Sequence, residues 1–388
     1  MNGRDRIPLT GVCAFFGLWL VVLLSSTGCT TASLRRMPLE SPGRLEIDAI
    51  PAAYEAYDTV CVGTDPIVYC SGGKRPERIG HVLGAYQEYA MQLTARGTRT
   101  RKHDEMLRDA TTLMQEAFDA RYLDAVEFDV HMNTRDAEAS AVLVLHHEPH
   151  WESLPKWPLA QGFLQNDRNS LRVLLASFFA RYHQQQKRLY IELKAPEGCR
   201  AIAAPPGATC RRIAGEVAAA LVSHGEVLGS DWRSIVLVSF STQMLEAVYE
   251  ALPTALRTRI DYLLIVGSAS RLLSTVASRK GWVAPFSDKQ RHWMVKTPWL
   301  TGVWYSPRAM RDFPRLIADV NVQRVDATLP CLDVGISVYL QQVNKFLRDM
   351  ERTWKDELDQ ATLPTCGPQQ QHTPAIVRSL IFDIDSRR

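Results

Sequence analysis

From residue 79 onward, short apolar segments alternate with longer amphipathic segments. Short strands separated by helices are typical of repeated β-α units around a parallel sheet. The strand candidates are residues 79–83, 125–130, 142–147, 189–194, 235–240, 262–266 and 301–305, with a weaker eighth candidate at 325–329. The helix candidates are residues 170–186, 210–224, 242–251 and 307–318. This number of units predicts an α/β fold, specifically a closed TIM (β/α)8 barrel.

The chain is predicted to have four parts. They are a signal peptide at 1–28, a tether with irregular structure at 29–78, the barrel at 79–334, and a C-terminal helix and tail at 335–388. Residues 30–78 are rich in Pro, Gly and Ser, which favours irregular structure. The C-terminal helix is predicted from apolar residues at spacings of three and four, which are Ile336, Leu340, Val343, Leu347, Met350 and Trp354. We expect one face of this helix to pack on the barrel.

The N-terminus has the pattern of an export signal. Arg4 and Arg6 precede an apolar run at 12–24, and small residues then lead to Cys29. A membrane-spanning helix needs about 20 apolar residues, and this run is shorter. The pattern resembles the lipobox of bacterial lipoproteins, although Ser26 stands where those proteins usually have Leu. We therefore expect a lipid on Cys29 that anchors the protein in the membrane of a bacterial cell envelope; an uncleaved anchor and an ordinary secretory signal are the alternatives.

Six cysteines remain once Cys13 is removed with the signal and Cys29 carries lipid. An even number of cysteines suits an oxidising compartment, and none of them has the C-x-x-C spacing of redox or zinc motifs. Proximity along the chain favours three disulfides, which are Cys61 with Cys70, Cys199 with Cys210, and Cys331 with Cys366.

The charge balance argues against one class of partner. The formal net charge is +3, and Lys and Arg are not concentrated in any run. Nucleic-acid binding usually requires a basic patch or stripe. We therefore expect no nucleic-acid partner.

Two candidate strands carry charged residues on one face. Side chains alternate along a strand, so Glu127 and Asp129 share a face, and Glu192 shares a face with Lys194. Neighbouring buried carboxylates repel one another unless a cation lies between them. Oxygen ligands favour Mg²⁺ or Ca²⁺, whereas pairing with Arg or Lys is the purely structural alternative. Lys194 is in addition suited to binding a phosphate oxygen.

Histidines occur at two further candidate strands. His81 lies in the first strand, and His146 and His147 end the third. Catalytic groups of TIM barrels lie at the carboxyl ends of the strands. These histidines are therefore candidate catalytic residues.

Taken in order, these segments resemble the phospholipase C-like phosphodiesterase superfamily, and within it the glycerophosphodiester phosphodiesterase-like branch. The matching segments are Gly80-His81, Glu127-Phe128-Asp129-Val130, His147-Glu148-Pro149, Ile191-Glu192-Leu193-Lys194 and Val238-Ser239-Phe240-Ser241. The resemblance implies a TIM barrel that hydrolyses phosphoric diesters such as phospholipid headgroups or glycerophosphodiesters.

The resemblance also implies a role for each matching residue. Glu127, Asp129 and Glu192 would hold one divalent cation, Mg²⁺ or Ca²⁺, while His81 and His147 would act as general acid and base. Lys194 would neutralise charge on the phosphate. His146 is the alternative to His147, because a tighter strand alignment would place it in the same role.

The chain departs from this family pattern after His81. Relatives continue with Arg-Gly, but this chain has Val82-Leu83-Gly84, and a charged insertion at 96–116 lengthens the interval to Glu127. These differences concern glycerophosphodiester specificity and remove no residue that the core chemistry needs. An amidohydrolase-type barrel is disfavoured because the chain has no His-x-His. The remaining alternative is a non-catalytic envelope lipoprotein that keeps the barrel as a binding scaffold.

Overall fold

A computed structural model describes part of the chain. The described residues are 61–64, 67–70, 77–82, 109–119, 123–132, 142–144, 167–201, 203–228, 233–266, 288–305, 313–338 and 377–383. All of them belong to one compact unit, residues 43–388. The predicted signal peptide and Cys29 lie outside the described residues, so the export signal and the lipid anchor stay predictions.

The described strands fall into two sheets. A two-stranded antiparallel sheet consists of β1 (Cys61–Thr64) and β2 (Ile67–Cys70). The larger sheet consists of β3 (Glu77–Val82), β4 (Ala125–Met132), β5 (Val142–Val144), β6 (Arg188–Leu193), β7 (Ile235–Ser239), β8 (Asp261–Val266), β9 (Gly302–Tyr305), β10 (Asp333–Val338) and β11 (Val377–Asp383).

The described helices lie between strands of the larger sheet, from β3 to β10. They are α1 (Ala110–Asp119), α2 (Leu171–Arg181), α3 (Ala208–Val222), α4 (Gly225–Leu228), α5 (Thr242–Ala251), α6 (Thr254–Arg257), α7 (Asp288–Lys296) and α8 (Phe313–Asp326). Serine side chains cap two of them: Ser170 accepts from the Val173 amide before α2, and Ser241 accepts from the Met244 amide before α5. Among the described helices, none has the length and apolar character needed to cross a membrane.

Parallel pairing runs through the larger sheet and returns to its starting strand. The order is β3, β4, β6, β7, β8, β9, β10 and β11, and each neighbouring pair is parallel. Strand β11 then pairs in parallel with β3. This curled parallel sheet with intervening helices is an α/β fold consistent with a TIM-like barrel.

The third strand candidate is not one of these parallel strands. Segment 142–147 was expected to be a barrel strand, but β5 pairs antiparallel with the end of β4, with Val144 opposite Val130. A parallel crossover needs about a dozen residues or more, and the link from Met132 to Val142 is too short for one. The prediction was therefore wrong in topology, and β4 and β5 form a hairpin at the carboxyl end of β4.

The C-terminal boundary was also predicted wrongly. Residues 325–329 follow from the end of α8 and form no strand, while Ile336 belongs to β10 and not to a helix. Alternating Val334, Ile336 and Val338 have the period of two that a strand requires, although Ile336 also fitted the helical spacing. Since β11 ends at Asp383, the parallel sheet extends well past residue 334. The other residues of the predicted C-terminal helix lie outside the described residues.

Two apolar clusters lie on opposite faces of the parallel sheet. Val126, Phe128 and Val130 of β4 pack in the larger cluster with the helices. The smaller cluster contains residues of the other face, which are Ile79, Ala125, Tyr190, Val236, Val238, Leu263, Ile265 and Trp304. Because side chains alternate along β4, Glu127 and Asp129 share the face of Ala125, inside the curl of the sheet.

A partly buried polar network joins the amino ends of three strands. The Tyr190 hydroxyl donates to Glu77 Oε2 at 2.5 Å, and Arg188 Nη1 lies 3.1 Å from the same oxygen. Arg188 Nη2 lies 2.5 Å from Asp261 Oδ2, and Arg233 Nη1 lies 2.9 Å from Asp261 Oδ1. Each carboxylate in this network therefore contacts a cation.

The structure contains the disulfide expected between Cys199 and Cys210, with a Cα–Cα distance of 5.5 Å. It joins the segment after β6 to the start of α3. The Ser241 hydroxyl donates to the Cys199 carbonyl, and the Gln243 side chain accepts from the Ala201 amide at 3.0 Å. These bonds hold the segment after β6 against the N-terminus of α5.

The other two predicted disulfides are only partly described. The hairpin of β1 and β2 places Cys61 directly opposite Cys70, a position that suits a disulfide. Cys331 is disulfide-bonded, but its predicted partner Cys366 lies outside the described residues. Both pairings therefore stay predictions.

A buried arginine, Arg324, links α8 to α7 through backbone carbonyls, with no ion pair to a carboxylate of the described residues. Arg324 of α8 is fully buried, and its guanidinium donates to the carbonyls of Pro330 (2.8 Å), Met294 (2.5 Å), Thr297 (2.9 Å) and Leu300 (3.2 Å). Burial lowers the pKa of Arg324 to about 10. Because these carbonyls lie in the last turn of α7 or follow the end of α7 or of α8, this side chain satisfies acceptors that the helices leave open.

We expect Arg324→Met to lower the free energy of unfolding by about 3 kcal/mol, because several buried carbonyls lose their donor. Urea unfolding monitored by circular dichroism measures this loss. Arg212→Met on the exposed face of α3 is the matched control and should change stability by no more than about 0.5 kcal/mol. Equal losses of unfolding free energy in the two variants would show that the buried guanidinium contributes no more to stability than an exposed one.

Candidate functional site

Strand register brings the predicted site residues together. In the pairing of β3 with β4, His81 lies beside Glu127, and in the pairing of β4 with β6, Asp129 lies beside Glu192. Side chains at paired positions of parallel strands point to the same face. Four side chains from three neighbouring strands therefore converge near the carboxyl ends of these strands.

The convergence is close enough for a shared ion. One ligand atom from each of His81, Glu127, Asp129 and Glu192 lies within 4.8 Å of all the others. His81 Nε2 is 2.8 Å from Glu127 Oε2 and 3.8 Å from Asp129 Oδ1. The three predicted carboxylate ligands thus meet at one point, and His81 lies beside them.

The carboxylates of this group are removed from water. Glu127 and Asp129 are 0% exposed and Glu192 is 3% exposed. Burial raises the pKa of Glu127 to about 7, despite the attraction of His81. Burial likewise raises the pKa of Glu192 to about 8, despite the attraction of Lys194. The surroundings therefore disfavour ionised carboxylates at this point.

Lys194 provides a positive charge at the same place. Its Nζ lies 2.9 Å from Asp129 Oδ1 and 2.5 Å from Glu192 Oε1. Burial alone would lower the pKa of Lys194, but the carboxylates of Asp129 and Glu192 outweigh burial and raise it. Lys194 follows the last residue of β6, and its amide donates to the Val130 carbonyl at 3.0 Å. This bond continues the β4 to β6 pairing up to the lysine itself.

The donor set fits a divalent cation. Apart from the contact with His81, neither oxygen of Glu127 accepts a hydrogen bond from a described residue, although both oxygens are buried. Buried carboxylate oxygens normally have partners, so an unmet requirement of this kind is typical of a ligand position. Oxygen donors suit Mg²⁺ and Ca²⁺, whereas an imidazole nitrogen also suits transition metals. The buried group can therefore bind a metal ion, and the ligands alone do not select one metal.

Residues around the group limit how its members can move. The Trp304 ring meets the His81 ring edge-on, with 6.1 Å between centroids. The Ser239 hydroxyl donates to the Leu193 carbonyl at 2.7 Å and accepts from the Ser241 amide at 3.1 Å, which ties β7 to the end of β6. The backbone that carries Glu192 is therefore held from two sides, by β4 and by β7.

An exposed aromatic ring borders the same region. Phe240 directly follows β7 and is 43% exposed. Its ring centroid lies 6.0 Å from Lys194 Nζ. The lysine thus lies between the buried carboxylates and a solvent-facing ring.

Most of the predicted site residues can be located. His81, Glu127, Asp129, Glu192 and Lys194 lie together. The candidates for a second histidine, His146 and His147, lie outside the described residues, so their roles stay predictions. The sequence interpretation also missed strand β11, whose register places the backbone of Asp383 opposite His81. A carboxyl-terminal strand signal at 377–383 would have identified this position.

We expect Glu127→Gln to raise the free energy of unfolding in chelator by about 1 kcal/mol, because the site disfavours a charge at this position and the amide keeps the shape. The same substitution should abolish any rise in melting temperature that Mg²⁺ or Ca²⁺ produces, because one ligand is lost. Thermal unfolding with chelator and with each cation measures both effects. Glu250→Gln, at an exposed position of α5, is the control. An undiminished cation effect in Glu127→Gln would exclude Glu127 as a ligand.

Comparison with protein-family models and with curated proteins gave no match. The resemblance to phospholipase C-like phosphodiesterases therefore depends on the short motifs of the chain. The convergence of His81 with the three carboxylates is an observation of the structure and does not depend on that resemblance.

Proposed function

We propose that this protein is a metal-dependent phosphoric diester hydrolase. One observation carries the proposal: a histidine, three carboxylates and a lysine from three adjacent parallel strands meet at the carboxyl ends of those strands. Active sites of parallel α/β barrels lie at this end. We propose in addition that the fold is a complete TIM (β/α)8 barrel.

Hydrolysis of a phosphodiester requires compensation of negative charge. Glu127, Asp129 and Glu192 would hold one divalent cation, which supplies Lewis-acid polarisation of the phosphate when bound. Lys194 would bind a non-bridging phosphate oxygen through its ammonium group. An ammonium is suited to this role because it remains charged in the presence of the carboxylates.

The reaction also requires proton transfer near neutral pH, for which imidazole is the usual group. The Glu127 contact and the Trp304 edge orient the His81 ring, so that its Nε2 faces the carboxylate group. His81 and a second histidine would act as general base and general acid. One accepts the proton of the attacking hydroxyl or water, and the other donates a proton to the leaving oxygen. His147 is the proposed second histidine.

The proposed substrate is a phospholipid headgroup or a glycerophosphodiester. This choice rests on the motif resemblance and on the predicted lipid at Cys29, which would keep the site near a membrane surface in the bacterial envelope. The tether that gives the catalytic unit its reach would lie before β1, at 30–60, because β1, β2 and the start of β3 are ordered structure within the predicted 29–78 segment. A lipid anchor supports a lipid substrate without requiring one.

We expect the purified protein to hydrolyse bis(p-nitrophenyl) phosphate or a member of a phospholipid panel with Mg²⁺ or Ca²⁺, and to lose this activity in chelator. His81→Ala should lower kcat at least about 100-fold, because one proton-transfer group is lost. Glu127→Ala should lower the activity and also weaken its dependence on cation concentration.

His292→Ala is the matched control for this experiment, because His292 is an exposed histidine on α7. It should keep full activity. Turnover that needs no metal and survives both His81→Ala and Glu127→Ala would contradict the mechanism. No turnover of any diester, with cation binding intact, would favour the binding-scaffold alternative.

The same assay distinguishes the two candidates for the second histidine. We expect His147→Ala to lower kcat at least about 100-fold and His146→Ala to have a small effect, because His147 begins the His-Glu-Pro match. The reverse result would assign the role to His146. Similar small effects of both substitutions would show that neither residue transfers the proton.

A further inference from the structure

We propose that Lys194 and the divalent cation compete for the carboxylates of Asp129 and Glu192, so that cation binding releases the lysine ammonium toward the open end of the site. This inference rests on the proposed cation site. It adds that Lys194 has two working positions: a counter-ion position among the carboxylates and a phosphate-binding position nearer to Phe240.

Lys194 contacts two of the carboxylates that would hold the cation. Lys194 Nζ contacts Asp129 Oδ1 at 2.9 Å and Glu192 Oε1 at 2.5 Å, and both residues belong to the group that can hold a metal ion. A cation bound by oxygen ligands lies about 2.0 to 2.6 Å from each oxygen. An ion at that distance and an ammonium on the same two carboxylates would be close neighbours of like charge. The two cations therefore repel each other and compete for these carboxylates.

Asp129, Glu192 and Lys194 differ in how freely their side chains can move. Asp129 lies within a strand that is paired on one side with β6, and its side chain is fully buried. Glu192 is buried on β6, which is paired on both sides by β4 and β7. Lys194 lies beyond the end of β6 and has a long stem with a partly exposed side chain, at 14%. The lysine is therefore the partner that yields its position.

A displaced Lys194 ammonium has another possible contact close to the site. The Phe240 ring lies 6.0 Å from Nζ and is 43% exposed, so it offers a cation a weak alternative contact beside solvent. The backbone of Phe240 is held on both sides by the hydrogen bonds of Ser239 and Ser241. A released ammonium thus remains near the site in a place that an incoming phosphate can reach.

A functional consequence follows from this exchange. Without a divalent cation, Lys194 compensates the buried carboxylates and is held by them. With a cation bound, the carboxylates are compensated by the cation, and the ammonium is available to a phosphate oxygen. Cation binding would then increase the affinity for phosphate partly through Lys194.

The competition is tested by the cation affinity of the purified protein, measured by isothermal titration calorimetry with Mg²⁺ and with Ca²⁺. We expect Lys194→Met to bind the cation at least roughly ten-fold more tightly than the wild type, because the competitor is gone. Lys194→Gln, which keeps a neutral donor, should show the same direction and guards against misfolding of the first variant. Lys296→Met removes an equal charge from the exposed end of α7, before β9, and should leave the affinity unchanged. Equal or weaker binding in both folded Lys194 variants would overturn the inference.

Release of the ammonium is tested by chemical labelling. Reductive methylation of the wild type, with peptide mass spectrometry, measures the reactivity of Lys194 with chelator and with saturating Mg²⁺ or Ca²⁺. We expect the cation to increase Lys194 labelling several-fold and to leave Lys296 unchanged. Unchanged or reduced labelling of Lys194 would show that the ammonium stays in place.

These results separate the inference from the proposed function. Tighter cation binding by the Lys194 variants, together with no hydrolysis of any diester, would support the competition and reject the phosphodiesterase. Cation-dependent hydrolysis with unchanged affinity in the variants would keep the enzyme and reject the competition. Absence of cation binding in the wild type and in all variants would overturn both.

Discussion

The repulsion among three buried carboxylates is the constraint on which the structure of the site depends. Glu127, Asp129 and Glu192 lie on adjacent strands with almost no exposure to water. Charges in such surroundings are costly unless they are paired. Among the described residues, the ammonium of Lys194 and the imidazole of His81 are the groups that contact these carboxylates and offset their negative charge. The site therefore favours additional positive charge, and a divalent cation is the simplest ligand that provides it.

Carboxylates are paired differently at the two ends of the parallel sheet. At the amino ends, Glu77 and Asp261 each contact an arginine, and the Tyr190 hydroxyl completes the hydrogen bonding of Glu77. At the carboxyl ends, the carboxylates outnumber their positive partners, and His81 is the only described residue in hydrogen-bonding contact with the oxygens of Glu127. The amino-end network stabilises the fold without any ligand. The carboxyl-end group keeps a chemical requirement that the described residues leave unmet and that a bound cation would meet.

Much of this arrangement could be predicted from local sequence, because strand alternation depends only on neighbouring residues. The period of two in segment 125–130 placed Glu127 and Asp129 on one face, and β6 carried Glu192 and led to Lys194 in the same way. Features that depend on distant parts of the chain were harder. The direction of β5 follows from the length of its link to β4, and β10 was mistaken because Ile336 fitted both periods. The pairing of β11 with β3, which places Asp383 beside His81, requires knowledge of which strand closes the sheet.

Register explains why short motifs carry so much information here. A shift of one residue between β4 and β6 would turn one set of carboxylates away from the other, because each strand alternates its faces. The apolar residues Val126, Phe128 and Val130 resist such a shift, since they are buried against the helices. The same hydrophobic packing that stabilises the strand therefore fixes the distances among the charged groups. Stability of the outer core and geometry of the inner site are in this way two consequences of one alternating pattern.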